Sequence, residues 1–199
     1  MRLFHLDTKE IKDFSSMSVL DNILGSGLTS RLFLDLREKQ KLAYNVRSTF
    51  NNCGTYAQEA LTIKTGIKDA SGVVNDNLTS SLKGFEKHLK RLVNTLPTEK
   101  ELQRAKNRLR NKYTEFLATA SGLNSALVEG AKTKSGITYY NKMLKAFDNI
   151  NAQDVQDAAR KFLTKPSVTS VLTTEEALNK SRKYLETLGE LKIYTKEEL

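Results

Sequence analysis

Leu24-Gly25-Ser26-Gly27-Leu28-Thr29-Ser30-Arg31-Leu32-Phe33, then Leu34-Asp35-Leu36-Arg37-Glu38-Lys39-Gln40-Lys41 and Leu42-Ala43-Tyr44-Asn45-Val46, is the stretch on which the reading of this 199-residue chain turns. Gly25 and Gly27 break a preceding helical pattern. Leu28, Leu32, Phe33 and Leu36 then share one side of an amphipathic helix expected from about Leu28 to Gln40. The period next changes to two, with Leu42, Tyr44 and Val46 alternating against Ala43, Asn45 and Arg47. A glycine-broken turn, a helix and a strand therefore follow one another within 23 residues.

Working outward, residues 2–7 alternate as a short strand, with Leu3, His5 and Asp7 on one face. Ile11, Phe14, Met17, Leu20, Ile23 and Leu24 recur at helical spacing from about Thr8. Downstream, Asn51-Asn52-Cys53-Gly54 is a turn cluster. Tyr56 to Ile67 alternates again through Ala57, Glu59, Leu61 and Ile63, so a hairpin is expected. A helix steps through Val74, Leu78, Leu82, Phe85, Leu89 and Leu92. Thr98 and Glu101 form a capping box that starts another, and Asn151 is placed to cap a helix over 152–164. Helices are also expected at 122–133 and 137–148, a strand at Val168–Leu172, a second capping box at Thr173 and Glu176, and a short strand at Ile193-Tyr194. No repeat or linker divides the chain, so 1–199 reads as one α+β domain with an antiparallel-rich sheet packed against helices.

Composition narrows the function. The net charge is +9, from 32 Lys and Arg against 23 Asp and Glu. The basic residues interleave with acids along solvated helix faces, as in Lys100-Glu101 through Glu115, and no nucleic-acid-reading motif accompanies them, so no nucleic-acid partner is expected. No segment approaches the ~20 apolar residues that cross a bilayer, so no membrane partner is expected. MRLFHLDTKEIKDF has no long apolar run and no small-residue cleavage site, and the lone Cys53 forms no internal disulfide. A reducing, cytoplasmic location is the expectation.

Taken alone, Arg37 reads as a surface arginine neutralising the C-terminus of its own helix, and Tyr44 as a half-buried strand aromatic. Gly25 and Gly27 read either as the C-cap and hinge between two helices or as a loop touching a bound peptide. His88 and Cys53 suggest no role.

The succession Leu24–Phe33, Leu36-Arg37-Glu38-Lys39 and Leu42–Val46 resembles the C-terminal, non-catalytic half of insulinase-like (pitrilysin-type) zinc metallopeptidases, of which the mitochondrial processing peptidases are one branch. A weaker likeness continues at Pro97–Leu102, Asn151–Val155 and Leu188–Tyr194. The resemblance implies two homologous halves that close around an extended peptide. One half carries zinc on an H-x-x-E-H helix. The other has lost the metal and supplies substrate-binding groups, which Arg37, Tyr44, Gly25 and Gly27 match here. The implied partners are a zinc-bearing half, on the same polypeptide or a separate subunit, and a peptide substrate; a homodimer is also compatible with the resemblance. A scaffold or chaperone-like relative without proteolysis is the alternative.

In that alignment H-x-x-E-H falls on Ser18-Val19-Leu20-Asp21-Asn22. Zinc requires clustered imidazole, thiolate or carboxylate donors, and serine and asparagine replace the two histidines. No metal, and no intrinsic catalytic residue, is therefore expected in this chain, and zinc is expected in the partner half. The chain also opens at what reads as an internal strand, so the first strand-helix-strand portion of a complete half is expected to be missing.

Overall fold

The computed structural model describes residues 1–6, 10–52, 57–131 and 138–198. Asp7, Thr8, the Cys53-Gly54 turn, Tyr56 and the expected helix ends near 132–137 lie outside them. Four antiparallel strands, β1 (Arg2–Leu6), β2 (Ala43–Asn52), β3 (Ala57–Thr65) and β4 (Ser167–Thr169), form one sheet in the order β2-β3-β1-β4. The period-two pattern sets which face is covered. Phe4 and Leu6 of β1, Val46 and Ser48 of β2, and Ala57, Glu59 and Leu61 of β3 are buried, while His5, Arg47 and Lys64 are exposed.

The helices are α1 (Ile11–Leu24), α2 (Asn77–Asn94), α3 (Glu99–Leu117), α4 (Ala120–Ala131), α5 (Tyr139–Asn149), α6 (Ala152–Phe162) and α7 (Glu175–Glu186). α1 is the hub. It packs against β2 and against α3, α5 and α6, which buries Met17, Val19, Leu20, Ile23 and Leu24 together with Ser15, Ser16, Ser18 and Asp21. Phe14 extends this core, with ring centroids 5.6 Å from Phe50 and 6.4 Å from Phe147. Each large apolar side chain so buried contributes about 1.5–3 kcal/mol.

Two of the three expected caps form as read. Thr98 and Glu101 close a reciprocal box at the start of α3, and Asn151 does so with Asp154 at α6. Five readings need correction. The cap of α7 is Thr174, whose hydroxyl accepts from Ala177 N–H, rather than Thr173. Ile193-Tyr194 is irregular, and the expected strand at 168–172 is paired only over Ser167–Thr169. α2 begins at Asn77, because Val74 is drawn back into an antiparallel bridge with Lys68. The largest departure is the expected helix at 28–40. After one α-helical step at Arg31 and Leu32 the backbone widens into a π-helical segment, Phe33–Lys39. Among the described residues no helix is long and apolar enough to cross a membrane.

Candidate functional site

Arg37 and Tyr44 are brought together, and each sits on a local irregularity. Arg37 lies within the π-helical segment, where Gln40 N–H donates to Asp35 O, five residues back, at 2.9 Å. Lys41 then takes φ +54°, a left-handed conformation uncommon for a residue with a Cβ. In the β2–β3 ladder Ala43 faces Thr65 and Asn45 faces Lys64, so Tyr44 is the extra residue of a bulge. Bulges and π-turns both re-aim side chains, and both concentrate at functional sites.

The result is a stacked trio. The Arg37 guanidinium carbon lies 4.6 Å from the Phe33 ring centroid and 5.0 Å from the Tyr44 centroid. The Tyr44 side of this stack is open to solvent, with that residue 85% exposed. Arg37 has one carboxylate neighbour among the described residues, Glu38 at 3.6 Å, and its guanidinium donates no hydrogen bond to any of them. A permanently charged planar fork, fixed by two rings and facing water, is suited to receiving carbonyl or carboxylate oxygens from a ligand.

Gly25 and Gly27 lie apart from that stack, at the joint between α1 and the following turn. Gly25 caps α1, its N–H donating to Asp21 O at 3.0 Å. A Cβ there would stand 2.2 Å from Ser48 N, so only glycine lets β2 approach this closely. Gly27 adopts φ +124° and is covered by the Arg108 guanidinium, which donates to Ser26 O. Beside the turn a shallow notch is lined by Asn22, Thr29, Arg104 and Arg108. The buried Arg31 holds the turn to α3 through a bidentate pair with Glu101, at 2.7 and 2.9 Å. Burial pushes the Glu101 carboxyl up, but Arg31 and the Thr98 cap outweigh it and hold it down at about 2.

The positions aligned with a metal motif do not fit zinc. Ser18 is buried, and Asn22 turns its amide back to Ser18 O at 3.0 Å. Asp21 is also buried and accepts the Ser48 hydroxyl at 2.5 Å. Facing it is Glu59, fully buried, whose two carboxyl oxygens have no donor among the described residues. Burial raises both carboxyls. Glu59 stands well above its ordinary value because the Asp21 charge adds to burial. Among the described residues no group of three or more His, Cys, Asp and Glu could hold a metal ion.

Sequence reasoning missed four participants. Glu59 was visible as an acid in the inward register of a strand. Asp35 and Gln40 gave no signal, because side chains five apart diverge on an α-helix. His88, which the sequence left without a role, is buried and bonded to Asp35 at 2.8 Å.

A family model described as the peptidase M16 inactive domain matches residues 3–109. The chain is 23% identical over 151 residues to Probable inactive metalloprotease YmfF of Bacillus subtilis (strain 168), covering 76% of this chain and 33% of that protein. It is 38% identical over 66 residues to Uncharacterized zinc protease SCO5738 of Streptomyces coelicolor, covering 32% of this chain and 14% of that protein. It thus spans about a third of the first relative's length and about a seventh of the second's. Among solved structures, an inactive peptidase domain from Bordetella parapertussis matches with TM-score 0.67 at 18% identity, over 87% of this chain and 92% of that one. The peptidase M16 inactive domain from Pseudomonas fluorescens matches with TM-score 0.63 at 23% identity, over 81% of this chain and 37% of that one. With a fold shared by those domains, and a family match across more than half its length, the chain belongs to the peptidase M16 inactive-domain family.

Proposed function

We propose that this chain is the substrate-gripping, non-catalytic half of a zinc-dependent peptidase. In this reading it closes over a zinc-bearing partner half, and holds a peptide extended with Arg37 and Tyr44 presented to the reacting carbonyl. The observation that carries it is the stack itself, in which a guanidinium and a phenol are aimed outward by a π-turn and a bulge. The left-handed Lys41 between them costs of order 1–3 kcal/mol, and such a conformation persists where the surrounding structure enforces it.

The chemistry required of the pair is modest. Arg37 offers N–H donors with a charge that does not titrate at physiological pH, and Tyr44 offers a hydroxyl beside it. Both suit an oxygen that gains negative charge during acyl transfer, where each preorganised donor is worth about 10²–10³ in kcat. Gly25 and Gly27 would act at a distance, by setting the turn that leads into the Arg37 segment. Metal and general base belong to the partner half in this proposal, because Ser18, Asp21 and Asn22 are committed to internal contacts. A reducing compartment suits the lone Cys53.

The test is reconstitution with the H-x-x-E-H-bearing half, followed by hydrolysis of a quenched-fluorescent peptide. Turnover should require both chains, and Arg37→Ala should lower kcat by about 10²-fold with a smaller change in KM. An unchanged kcat in Arg37→Ala would remove the residue from the mechanism. Unaltered turnover without this chain would favour the scaffold alternative.

A further inference from the structure

Four contacts converge on a side chain that is not itself in the Arg37 stack. Asp35 sits two residues before Arg37, in the same π-helical segment. Its Oδ2 accepts Lys87 Nζ at 2.6 Å and His88 Nε2 at 2.8 Å, both from α2. Its Oδ1 accepts the Gln40 side-chain amide at 2.9 Å, and its backbone oxygen accepts the Gln40 N–H, also at 2.9 Å. Burial raises the carboxyl, but the bonds from Gln40, Lys87 and His88 outweigh it and hold Asp35 well below the usual carboxylate range. With Asp35 ionised, His88 must carry its proton on Nε2 to donate.

The double bond to Gln40 is informative about register. Residues i and i+5 face apart on an α-helix and come together only when the turn is widened. Asp35 therefore grips Gln40 twice across the one spacing that distinguishes a π-turn. Its other oxygen meanwhile fixes the segment to α2. Leu36 completes the mooring, fully buried against Gly84 one turn before Lys87 and His88.

We propose that Asp35 is the positioning residue of the Arg37–Tyr44 pair: pinned to α2 and locked onto Gln40, it holds the π-helical register that lays the Arg37 guanidinium between Phe33 and Tyr44. The functional importance of that placement rests on the peptide-gripping reading above, whereas the placement itself does not. If the π-turn tightened to an α-turn, residues beyond Asp35 would rotate about the helix axis by the angle of the lost residue. Arg37 would then leave the Tyr44 ring.

The experiment uses the full chain and two readouts. In ¹H–¹⁵N spectra the Arg37 Nε–H resonance is assigned by its loss in Arg37→Lys. Stacking between two rings displaces that resonance upfield of exposed arginines. Asp35→Ala should return it to the position of an exposed arginine. Gln40→Ala, which removes the side-chain half of the i+5 contact on an exposed surface and leaves its backbone bond and the core untouched, should move it in the same direction and covers the case in which Asp35→Ala does not fold. An unmoved Arg37 resonance in a folded variant overturns the proposal. In the reconstituted hydrolysis of the quenched-fluorescent peptide, Asp35→Ala should lower kcat by about the 10²-fold expected of Arg37→Ala, and the double variant should be no worse than either single one. Multiplying losses would overturn the coupling. If the resonance moves but Arg37→Ala leaves kcat intact, the positioning stands and the peptide-gripping reading fails. If Arg37→Ala lowers kcat and the resonance stays put, the positioning fails alone.

Discussion

Along α1, from Ser15 to Leu24, polar side chains have been drawn into the protein, whereas from Phe33 to Asn45 an aromatic and a cation have been pushed out of it. In the first region Ser15, Ser16, Ser18 and Asp21 are buried in regular helix with ordinary dihedrals. In the second, a π-turn, a left-handed lysine and a β-bulge follow one another, and Tyr44 stands open to water. The first region, which the resemblance sets against a metal-binding helix, turns Asp21 and Asn22 to internal hydrogen bonds. The second keeps irregularities that bury Leu36 and leave Tyr44 open to water. Packing accounts for the burial of α1, but not for the exposure of Tyr44 beside the Arg37 guanidinium.

The sharpest way to break this contrast is at Gly25, where the closed region meets β2. A methyl there would meet Ser48 N at 2.2 Å and Ser48 Oγ at 2.7 Å, and the strand backbone cannot yield as a flexible side chain would. Gly25→Ala should therefore cost about 3 kcal/mol in denaturant unfolding, at the upper end of overpacking effects. A loss below about 0.5 kcal/mol would show that α1 and β2 are not clamped, and that the region is less closed than described.

How much of this was legible depends on how local the cause is. The period-two strands, the α1 apolar stripe and the Thr98 and Asn151 caps follow from residues a few positions apart, and the structure reproduces them. The pairing order β2-β3-β1-β4 and the packing around α1 depend on contacts far apart in sequence, which periodicity does not carry. The π-segment was unreadable because Leu28, Leu32, Phe33 and Leu36 fit an α-helical face equally well. Its cause, the Asp35 contacts to Lys87 and His88, lies more than fifty residues away. The Thr173 misreading is of the opposite kind: neighbouring threonines both suit a cap, and it is the Thr174 hydroxyl that accepts from Ala177 N–H.

The buried acids offer a gentler test of the closed region, through pH. Folding holds Glu59 above its ordinary value of 4.5, so the folded state keeps a proton that the unfolded chain releases. Its contribution is fully present below that value and is lost as pH rises toward the raised folded value. Burial lowers His88, which acts in the opposite sense as pH rises toward 6.5. Comparing the parent with Glu59→Gln cancels the histidine. The variant should match the parent near pH 4 and exceed it at higher pH by about 1.4 kcal/mol for each unit between 4.5 and the raised folded value. A parent–variant difference that did not grow with pH would mean that the pair is hydrated and the region open.

The smallest effect on stability, and the most discriminating for function, is expected at Tyr44. Its ring contributes an exposed cation–π contact, so Tyr44→Ala should cost no more than about 0.5–1 kcal/mol and leave the unfolding slope unchanged. Tyr44→Phe should cost less still, because the ring that stacks on Arg37 remains. Turnover should separate the two roles. If the hydroxyl meets a charged oxygen, Tyr44→Phe loses a hydrogen bond worth about 1.5–3 kcal/mol and kcat falls roughly tenfold or more, even though the fold is untouched. If Tyr44→Phe turns over at the parent rate, the ring serves only to hold Arg37, and the outward-facing region presents one donor rather than two. A stability loss as large as that of Gly25→Ala would break the comparison itself, because Tyr44 would then support the fold.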